Sequence, residues 1–336
     1  MKKDDLVFFC CPQCKSELDL PTPSTVKCLS CGQTYPIIDH VICFYTPHNE
    51  INDKIIKTNH NWSLQFGKFF PVTLSLLENN YGFYGRNAFY KFSGLDSNTF
   101  TNKIIGIFCG GSGREAYHVC QASSQKVIVL DIGEHIFTLP NLLRNFMDKL
   151  ILVRCDLSKS PIKKSSLDIA ICDHALQHIP HQKTIFQEIF STVKATGIFS
   201  CCVYSFENNF IMVYIIEPLK KVLSFMPPHG LFLLAIFPAL ALYLLTMILI
   251  IPLSKLFPSI SHLIPFKDQL SEWWAHGFKK FWEACFDLLH APISYHFKHA
   301  EMVEMANTTN AEVTKLINTN SSLWTMVVVP KNVTND

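Results

Sequence analysis

Residues 104–131 read IIGIFCGGSGREAYHVCQASSQKVIVLD and decide the fold. An apolar run, a glycine-rich turn, a helix-length segment and a second apolar run ending in Asp131 follow one another. Short apolar strands that alternate with helices are typical of βαβ units in a parallel sheet. Three more apolar runs follow at similar intervals, LILVRCD (150–156), LDIAICD (167–173) and GIFSCCVYS (197–205). We therefore predict an α/β core over residues 101–206.

Polar residues follow the apolar runs at the points where the strands end. Gly111 and Gly113 lie in the first turn, where glycine lets the backbone approach a nucleotide-like ligand. Asp131 closes the second strand, where an acid can accept both hydroxyls of a ribose. Asp156 follows the third strand, where its side chain can reach an adenine amino group. Asp173 ends the fourth strand, so the pattern places all these residues at the edge where open α/β sheets bind ligands.

Residues 101–205 resemble a class I S-adenosylmethionine-dependent methyltransferase. The segment ICDHALQHIPH (171–181) stands in the place of the family's "vLhHt" segment, and FQEIFSTVKATGIF (186–199) in the place of "l.evlkpGG". The resemblance implies a Rossmann-like, seven-stranded methyltransferase sheet and S-adenosylmethionine as cofactor. It also implies the residues that hold this cofactor, namely Gly111, Gly113, Asp131, Asp156 and Asp173.

The flanking segments resemble a bacterial subgroup of the same family that carries an N-terminal zinc ribbon. They are NWSLQFG (61–67), FYKFSGLDSNTFTNK (89–103) and EACFDLLHAPISYHFKHAEMVE (283–304). Methyl transfer to a good nucleophile needs mainly proximity and alignment, so the chemistry requires no dedicated base. The candidates for residues that act on the acceptor are His178, Tyr204 and His299. Packing or surface roles are the alternative for each of them.

Two positions in the first motif, the strand end and the glycine turn that follows it, depart from the family's pattern. The acidic residue that helps to hold the methionine end of the cofactor falls on Ile107, and the first glycine falls on Cys109. A charge-assisted hydrogen bond is worth about 1.5–3 kcal/mol, so its loss weakens binding about tenfold or more. A degenerate, non-catalytic binding or scaffold protein of the same fold is therefore the alternative to an enzyme.

Four cysteines near the N-terminus form two C-x2-C pairs, Cys11 with Cys14 and Cys28 with Cys31. Two such knuckles joined by a hairpin can direct four thiolates at one tetrahedral ion. Cys10 lacks the two-residue spacing to Cys14. Because protein would fill all four positions, we predict a structural zinc ion in a small separate module, a zinc ribbon over residues 1–46. Residues 47–100 are predicted to form a helical lead-in to the core.

An uncharged stretch separates the core from the C-terminal part of the chain. No Asp, Glu, Lys or Arg occurs between Lys221 and Lys255, and residues 231–253 are long enough to cross a bilayer. A single crossing conflicts with the fold, because the last two strands, expected near 311–318 and 322–329, must pair with the sheet. Residues 207–282 are therefore predicted to be a hydrophobic helical insertion. It either caps the site, broken by Pro238 and Pro252, or dips into one leaflet together with residues 210–226. The C-terminal helix and last strands take residues 283–336.

The composition and charge of the chain restrict the classes of molecule that it is expected to bind. The chain has 336 residues, of which 49% are hydrophobic and 17% charged, so it is not disordered. The formal net charge of +2 comes without a long basic block, and we expect no nucleic-acid partner. With no recognisable secretory signal, the expected location is the cytoplasm, at the inner face of the membrane if the insertion enters it. The acceptor is expected to be a small or lipid-like molecule, and the oligomeric state stays open.

Overall fold

The computed structural model describes residues 2–45, 53–79, 82–223, 225–264 and 266–331. Within these ranges, eleven strands form one mixed sheet. The strands are β1 (Leu18–Thr22), β2 (Thr25–Cys28), β3 (Thr34–Ile38), β4 (Val41–Cys43), β5 (Ile104–Phe108), β6 (Lys126–Asp131), β7 (Leu150–Arg154), β8 (Leu167–Asp173), β9 (Val193–Tyr204), β10 (Ala311–Thr319) and β11 (Leu323–Pro330). Their order across the sheet is β1-β2-β3-β4-β7-β6-β5-β8-β9-β11-β10.

The strands β5–β9 form the predicted parallel core. They are apolar on both faces because helices or the N-terminal segment cover each face. Side chains such as Phe108 and Val153 pack on one face, whereas Ile107 and Leu152 pack on the other. The two predicted C-terminal strands are confirmed: β11 pairs with β9 and β10 pairs with β11, both antiparallel. The result is a methyltransferase-like α/β sheet of seven strands, β5–β11, to which β1–β4 are added at one edge.

The N-terminal strands are not the separate module that the sequence predicts. β4 pairs with β7 in parallel, and Val41 lies opposite Leu152. Phe9 and Tyr35 belong to the same buried cluster as Val153. The four short strands β1–β4 have too few apolar side chains to form a core of their own. These side chains are therefore buried against the sheet.

Thirteen α-helices lie within the described residues: α1 (Asp53–Leu64), α2 (Leu74–Glu78), α3 (Arg86–Ser93), α4 (Arg114–Gln121), α5 (Leu139–Leu142), α6 (Gln182–Ser191), α7 (Glu217–Leu223), α8 (Pro228–Leu234), α9 (Ile236–Leu245), α10 (Ile251–Leu256), α11 (Lys267–Ala275), α12 (Phe278–His290) and α13 (His299–Thr308). The predicted helical lead-in contains α1–α3, and its residues 47–52, 80 and 81 lie outside the described ranges. The lead-in packs on the loop after β6, since Ser63 near the end of α1 accepts a hydrogen bond from the amide of Glu134 at 3.0 Å.

The insertion forms a helical unit with its own apolar core. Leu231, Ala235 and Ala239 pack against Phe281 and Phe286 of α12. The predicted boundary between residues 282 and 283 therefore falls inside α12, and this helix belongs with the insertion.

The helical stretch Pro228–Leu256, which comprises α8–α10, is long and apolar enough to cross a membrane by length and composition. It has 29 residues, its most apolar 18-residue window has a mean hydropathy of 2.6, and only 22% of that window is buried. One of the two predictions for this stretch is a cap broken by Pro238 and Pro252, but the helical stretch continues past both prolines. Pro238 lies in the first turn of α9, and Pro252 follows a wider turn at Thr246–Ile250; both places tolerate a missing amide proton.

Candidate functional site

The glycine turn between β5 and α4 has the backbone shape that a close ligand contact requires. Gly111 and Gly113 have φ angles of 40° and 78°, in the left-handed region that favours glycine. A Cβ atom on Gly113 would lie only 2.9 Å from the side chain of Leu139. The sequence prediction for this turn is thus consistent with the geometry.

Asp131 lies directly beside this turn. Its carboxylate accepts hydrogen bonds from the amide of Gly111 at 2.9 Å and from that of Gly133 at 2.7 Å. Burial tends to raise the pKa of this carboxyl, but His135 and the two amides hold it below its usual range. A buried, ionised carboxylate at the end of β6 is suited to accept hydroxyl groups from a ligand.

A cavity of about 640 Å³ opens over the carboxyl ends of the parallel strands. Pockets for small molecules and cofactors measure about 300–1,000 Å³. Gly111, Asp131 and Asp156 line one part of it, and the amide of Ser158 donates to Asp156 at 2.8 Å. Residues of α7, α11 and α12 line the part farther along, so the insertion closes the same cavity that the glycine turn opens.

Asp173 lines the cavity but is already held by protein groups. One carboxylate oxygen pairs with the fully buried guanidinium of Arg114, and the other accepts from Nδ1 of His174. Arg114 also pairs with Glu115 and lies over the ring of Phe83, 4.1 Å from its centroid. Burial tends to raise the pKa of Asp173, but His174 and Arg114 hold it below its usual range. Because both of its carboxylate oxygens are engaged, Asp173 is better placed to position Arg114 and His174 than to bind a ligand.

The two departures from the family's pattern have different structural consequences. Ile107 is buried among apolar side chains, opposite Val129 of β6 and Ile171 of β8, so no acid stands at this position. Cys109 has a φ angle of 59°, which is strained for a residue with a side chain. The turn thus keeps the backbone shape that glycine would adopt without strain.

His178 has a fixed tautomer. Its Nδ1 lies 2.7 Å from the carbonyl oxygen of Ile293. Because a carbonyl only accepts, Nδ1 carries the proton and Nε2 presents a lone pair. Nε2 is buried and has no hydrogen-bond partner among the described residues. Burial lowers the pKa of His178 to about 3, so the ring is neutral at physiological pH.

Aromatic rings surround this histidine. The ring of Trp62 lies 5.2 Å from that of His178, and Tyr204, another predicted candidate, lies 5.4 Å away on a different side. His178, Trp62 and Tyr204 all line the cavity. The sequence analysis missed Trp62 because nothing in a helical lead-in shows which strand end it covers.

His299 does not line the cavity, and its predicted place in the acceptor pocket is wrong. It is exposed at the start of α13, where its amide donates to Glu207 and its ring packs on Trp324. His296 lies in the cavity wall instead, 5.6 Å from the ring of Tyr204. The reason is local: Phe297 bridges to Ser205 beside β9 and is buried, so the preceding side chain points to the other side.

A polar stripe on α12 was also missed. Asp287 accepts a hydrogen bond from Nε2 of Gln65 at 3.0 Å, and the Oε1 atom of Gln65 accepts from Nε2 of His290. Burial raises the pKa of Asp287, although the bond from Gln65 opposes this. The spacing of Glu283, Asp287 and His290, which places them on one face of a helix rich in large apolar residues, is the signal that could have revealed it.

The four predicted zinc ligands converge. The ligand atoms of Cys11, Cys14, Cys28 and Cys31 all lie within 4.8 Å of one another. The Sγ atoms of Cys11 and Cys31 are 3.7 Å apart, and those of Cys14 and Cys28 are 3.4 Å apart. A tetrahedral site with Zn–S bonds of about 2.3 Å requires about 3.8 Å between sulfurs. Cys10, although adjacent, is outside the cluster.

Residues 107–201 match a family described as a methyltransferase domain. This match includes the glycine turn, Asp131, Asp156, Asp173 and His178. Comparison with curated proteins finds no match.

Solved structures of similar architecture include several methyltransferases. A methyltransferase structure from Bacillus halodurans is 12% identical, with 69% of this chain and 70% of that chain covered and a TM-score of 0.41. A Haloferax volcanii complex between the Trm112 methyltransferase activator and its methyltransferase gives 12% identity, 81% and 96% coverage and a TM-score of 0.45. The 1,6-didemethyltoxoflavin-N1-methyltransferase of Burkholderia thailandensis gives 9% identity, 93% and 98% coverage and a TM-score of 0.46.

Proposed function

We propose that the protein is an S-adenosylmethionine-dependent methyltransferase. The observation that carries this proposal is the buried carboxylate of Asp131, held against the glycine turn at the edge of a cavity large enough for a cofactor and an acceptor. The methyltransferase-domain match over residues 107–201 supports it.

The residues present fit this cofactor at its nucleoside end. Asp131 offers carboxylate oxygens for the ribose hydroxyls, and Asp156, one strand farther, offers an acceptor for the adenine amino group. Gly111 and Gly113 let the backbone approach the ligand closely. When bound, S-adenosylmethionine supplies a methyl group on a positively charged sulfur, which leaves as a neutral thioether when the acceptor's lone pair forms the new bond.

The role of this chain at the acceptor is to orient it, and the acceptor releases its proton to solvent once it carries the methyl group. His178 holds its own proton on Nδ1 against Ile293, so Nε2 is free to accept a hydrogen bond from the acceptor. The rings of Trp62 and Tyr204 pack against it, and one of them must shift before a ligand atom reaches Nε2. Their packing also keeps water away from Nε2 of His178.

Calorimetry with S-adenosylhomocysteine and S-adenosylmethionine tests the proposal. We expect the intact protein to bind both, and Asp131→Ala to weaken binding about 10–100-fold, because it removes hydrogen bonds to a charged group. Asp148→Ala is the matched control, since Asp148 is exposed and lies outside the cavity. Absence of binding by the intact protein would remove the proposal.

A second candidate function, favoured by Ile107, is a non-catalytic protein of the same fold. Ile107 places an apolar side chain where the family has the acid that holds the methionine end. This candidate predicts that neither S-adenosylmethionine nor its demethylated product binds. Cofactor that co-purifies with the protein, identified by mass spectrometry, would contradict it.

We also propose that Cys11, Cys14, Cys28 and Cys31 bind one structural zinc ion. Four thiolates leave no open position for a substrate, so the ion would stabilise the fold and take no part in the reaction. Metal analysis should give one zinc per chain, and Cys14→Ser should lose it, whereas Cys10→Ser should keep it. Well under one ion per chain in protein purified without chelators would contradict this assignment.

The insertion, finally, is proposed to contact the inner face of a membrane. Large apolar side chains are exposed along residues 210–257, among them Phe237 at 71% and Phe210 at 68%. Soluble proteins rarely expose contiguous apolar patches larger than a few hundred Å². Lys255, at the end of the apolar stretch, suits the boundary between lipid and water.

A further inference from the structure

The helical segment 210–223 exposes large apolar side chains on its outer side and directs charged side chains toward the protein interior. Its outward side carries Phe210, Tyr214, Ile215 and Val222, which are 54–68% exposed. The charged side chains of Glu217 and the buried Lys220 point inward and line the cavity, together with Met212 and Ile216. A surface helix in water has the opposite arrangement, with apolar residues facing the core.

The helix α9 shows the same inversion. Ala235, just before it, Ala239 and Thr246, just after it, are fully buried, whereas Phe237 and Ile248 are 71% and 67% exposed. Small residues facing a neighbouring helix and large apolar residues facing outward are typical of helices in lipid. Both α7 and α9 pack against α12, so the two outward-apolar elements belong to one helical unit.

The segment 210–223 is also the wall of the cavity. Met212, Ile216, Glu217 and Lys220 line the interior at helical spacing, and the opposite side of the same segment is the apolar exterior. The cavity, with the charged groups of Glu217 and Lys220 in its wall, is therefore separated from the apolar exterior by the thickness of a single helix. A molecule that rests in lipid beside this helix has the shortest path into the cavity.

The charges in the cavity limit the head group that can enter. Three Lys and Arg side chains are among the described lining residues, and each pairs with a carboxylate: Arg114 with Asp173, Lys220 with Glu217 at 2.9 Å and Lys280 with Glu283 at 3.1 Å. Glu188, Glu272 and Asp287 add further acids to the lining. A head group with a net negative charge, such as a phosphate, would meet an excess of negative groups there and no lysine or arginine that is not already paired.

We infer that the methyl acceptor is an uncharged amphiphile that resides in a lipid bilayer and enters the cavity beneath the segment 210–223. This inference rests on the proposed methyltransferase function and adds the class of its acceptor. The head group carries a hydroxyl or another neutral group with a lone pair, and it carries no phosphate. Its apolar part stays among the outward-facing side chains of the insertion and the lipid.

The first arm of the test measures membrane contact without the reaction. In flotation with phosphatidylcholine vesicles, the intact protein should float, and Phe210→Ser/Ile215→Ser should reduce the floated fraction about tenfold or more. The matched control is Val7→Ser/Ile317→Ser, which removes exposed apolar side chains outside the insertion and should float normally. Failure of the intact protein to float, or equal flotation of both variants, would overturn the inference.

The second arm identifies the acceptor. Intact protein is incubated with trideuteromethyl-labelled S-adenosylmethionine and vesicles of total membrane lipid, and the neutral lipids are separated from the phospholipids. Label should appear in the neutral fraction, and Phe210→Ser/Ile215→Ser should lose at least about tenfold of it while its calorimetric cofactor affinity is unchanged. Label confined to phospholipids or to water-soluble products, or no label despite normal cofactor binding, would overturn the acceptor class. Absence of cofactor binding would instead overturn the proposed function.

Discussion

Among single residues, Cys109 shows most directly how the chain departs from the methyltransferase pattern that it resembles. Its φ angle of 59° suits glycine and strains any residue with a Cβ atom by about 1–2 kcal/mol. Cys109→Gly should therefore change the free energy of unfolding by less than about 1 kcal/mol, because relief of strain offsets the greater entropy of the unfolded chain. Cys109→Val should lose about 2 kcal/mol or more, since a β-branched residue is rare in this conformation. Urea unfolding of the two variants measures the difference, and equal stabilities would contradict the strain.

The buried histidines lead to a second prediction for single residues, which concerns the pH dependence of the free energy of unfolding. Burial lowers the pKa to about 3 in His178 and His290 and to about 4 in His118 and His296. The unfolded chain, with histidine pKa values near 6.5, binds more protons than the folded chain between about pH 3 and 6.5. Their stabilising effect is thus complete above about pH 6.5 and falls as the pH drops below it.

The free energy of unfolding should therefore decrease between pH 7 and pH 5 by about 1 kcal/mol per pH unit for each fully buried histidine. Urea unfolding across this range measures the slope. His290→Gln should flatten it, whereas His181→Gln, at an exposed histidine, should leave it unchanged. A stability that rises toward pH 5 would contradict the neutral state of these rings.

At the scale of elements, the parallel strands could be predicted from the sequence, whereas the elements that pack or pair beside them could not. A buried parallel strand appears in the sequence as a short apolar run between turns. The positions of these runs were therefore enough to predict β5–β9. The sheet edge that β4 joins could not be predicted, because a three-residue strand carries no information about its partner. His296 and His299 show the same limit within a site, since a shared motif does not tell which side chain faces the cavity.

The inverted packing of α9 gives a test at this scale. Ala239 is fully buried against α12, so Ala239→Leu should overpack this contact and lower the free energy of unfolding by about 1–3 kcal/mol. Phe237→Ala, at a side chain that is 71% exposed, should change it by less than about 0.5 kcal/mol in water. Chemical unfolding followed by circular dichroism compares them. A larger loss for Phe237→Ala than for Ala239→Leu would show that the outward side is buried in solution.

For the whole molecule, the shared core between the N-terminal strands and the sheet determines how the chain responds to metal loss. Phe9, Cys11 and Tyr35 pack in the same cluster as Val153, and β4 hydrogen-bonds to β7 beside Asp156. If the zinc site were an independent module, removing the ion would unfold that module alone. Because the cluster is continuous, destabilisation should extend into the methyltransferase-like sheet.

We therefore expect a single thermal transition in the zinc-loaded protein, and a transition several degrees lower after chelation or in Cys14→Ser. Differential scanning calorimetry with S-adenosylhomocysteine present gives the decisive readout, because none of the described residues that line the proposed cofactor cavity comes from the N-terminal strands. It should raise the same single transition that zinc raises, and Cys10→Ser should behave as the unmodified protein. Two transitions, of which zinc shifts one and S-adenosylhomocysteine the other, would show that the N-terminal strands unfold on their own despite the pairing of β4 with β7.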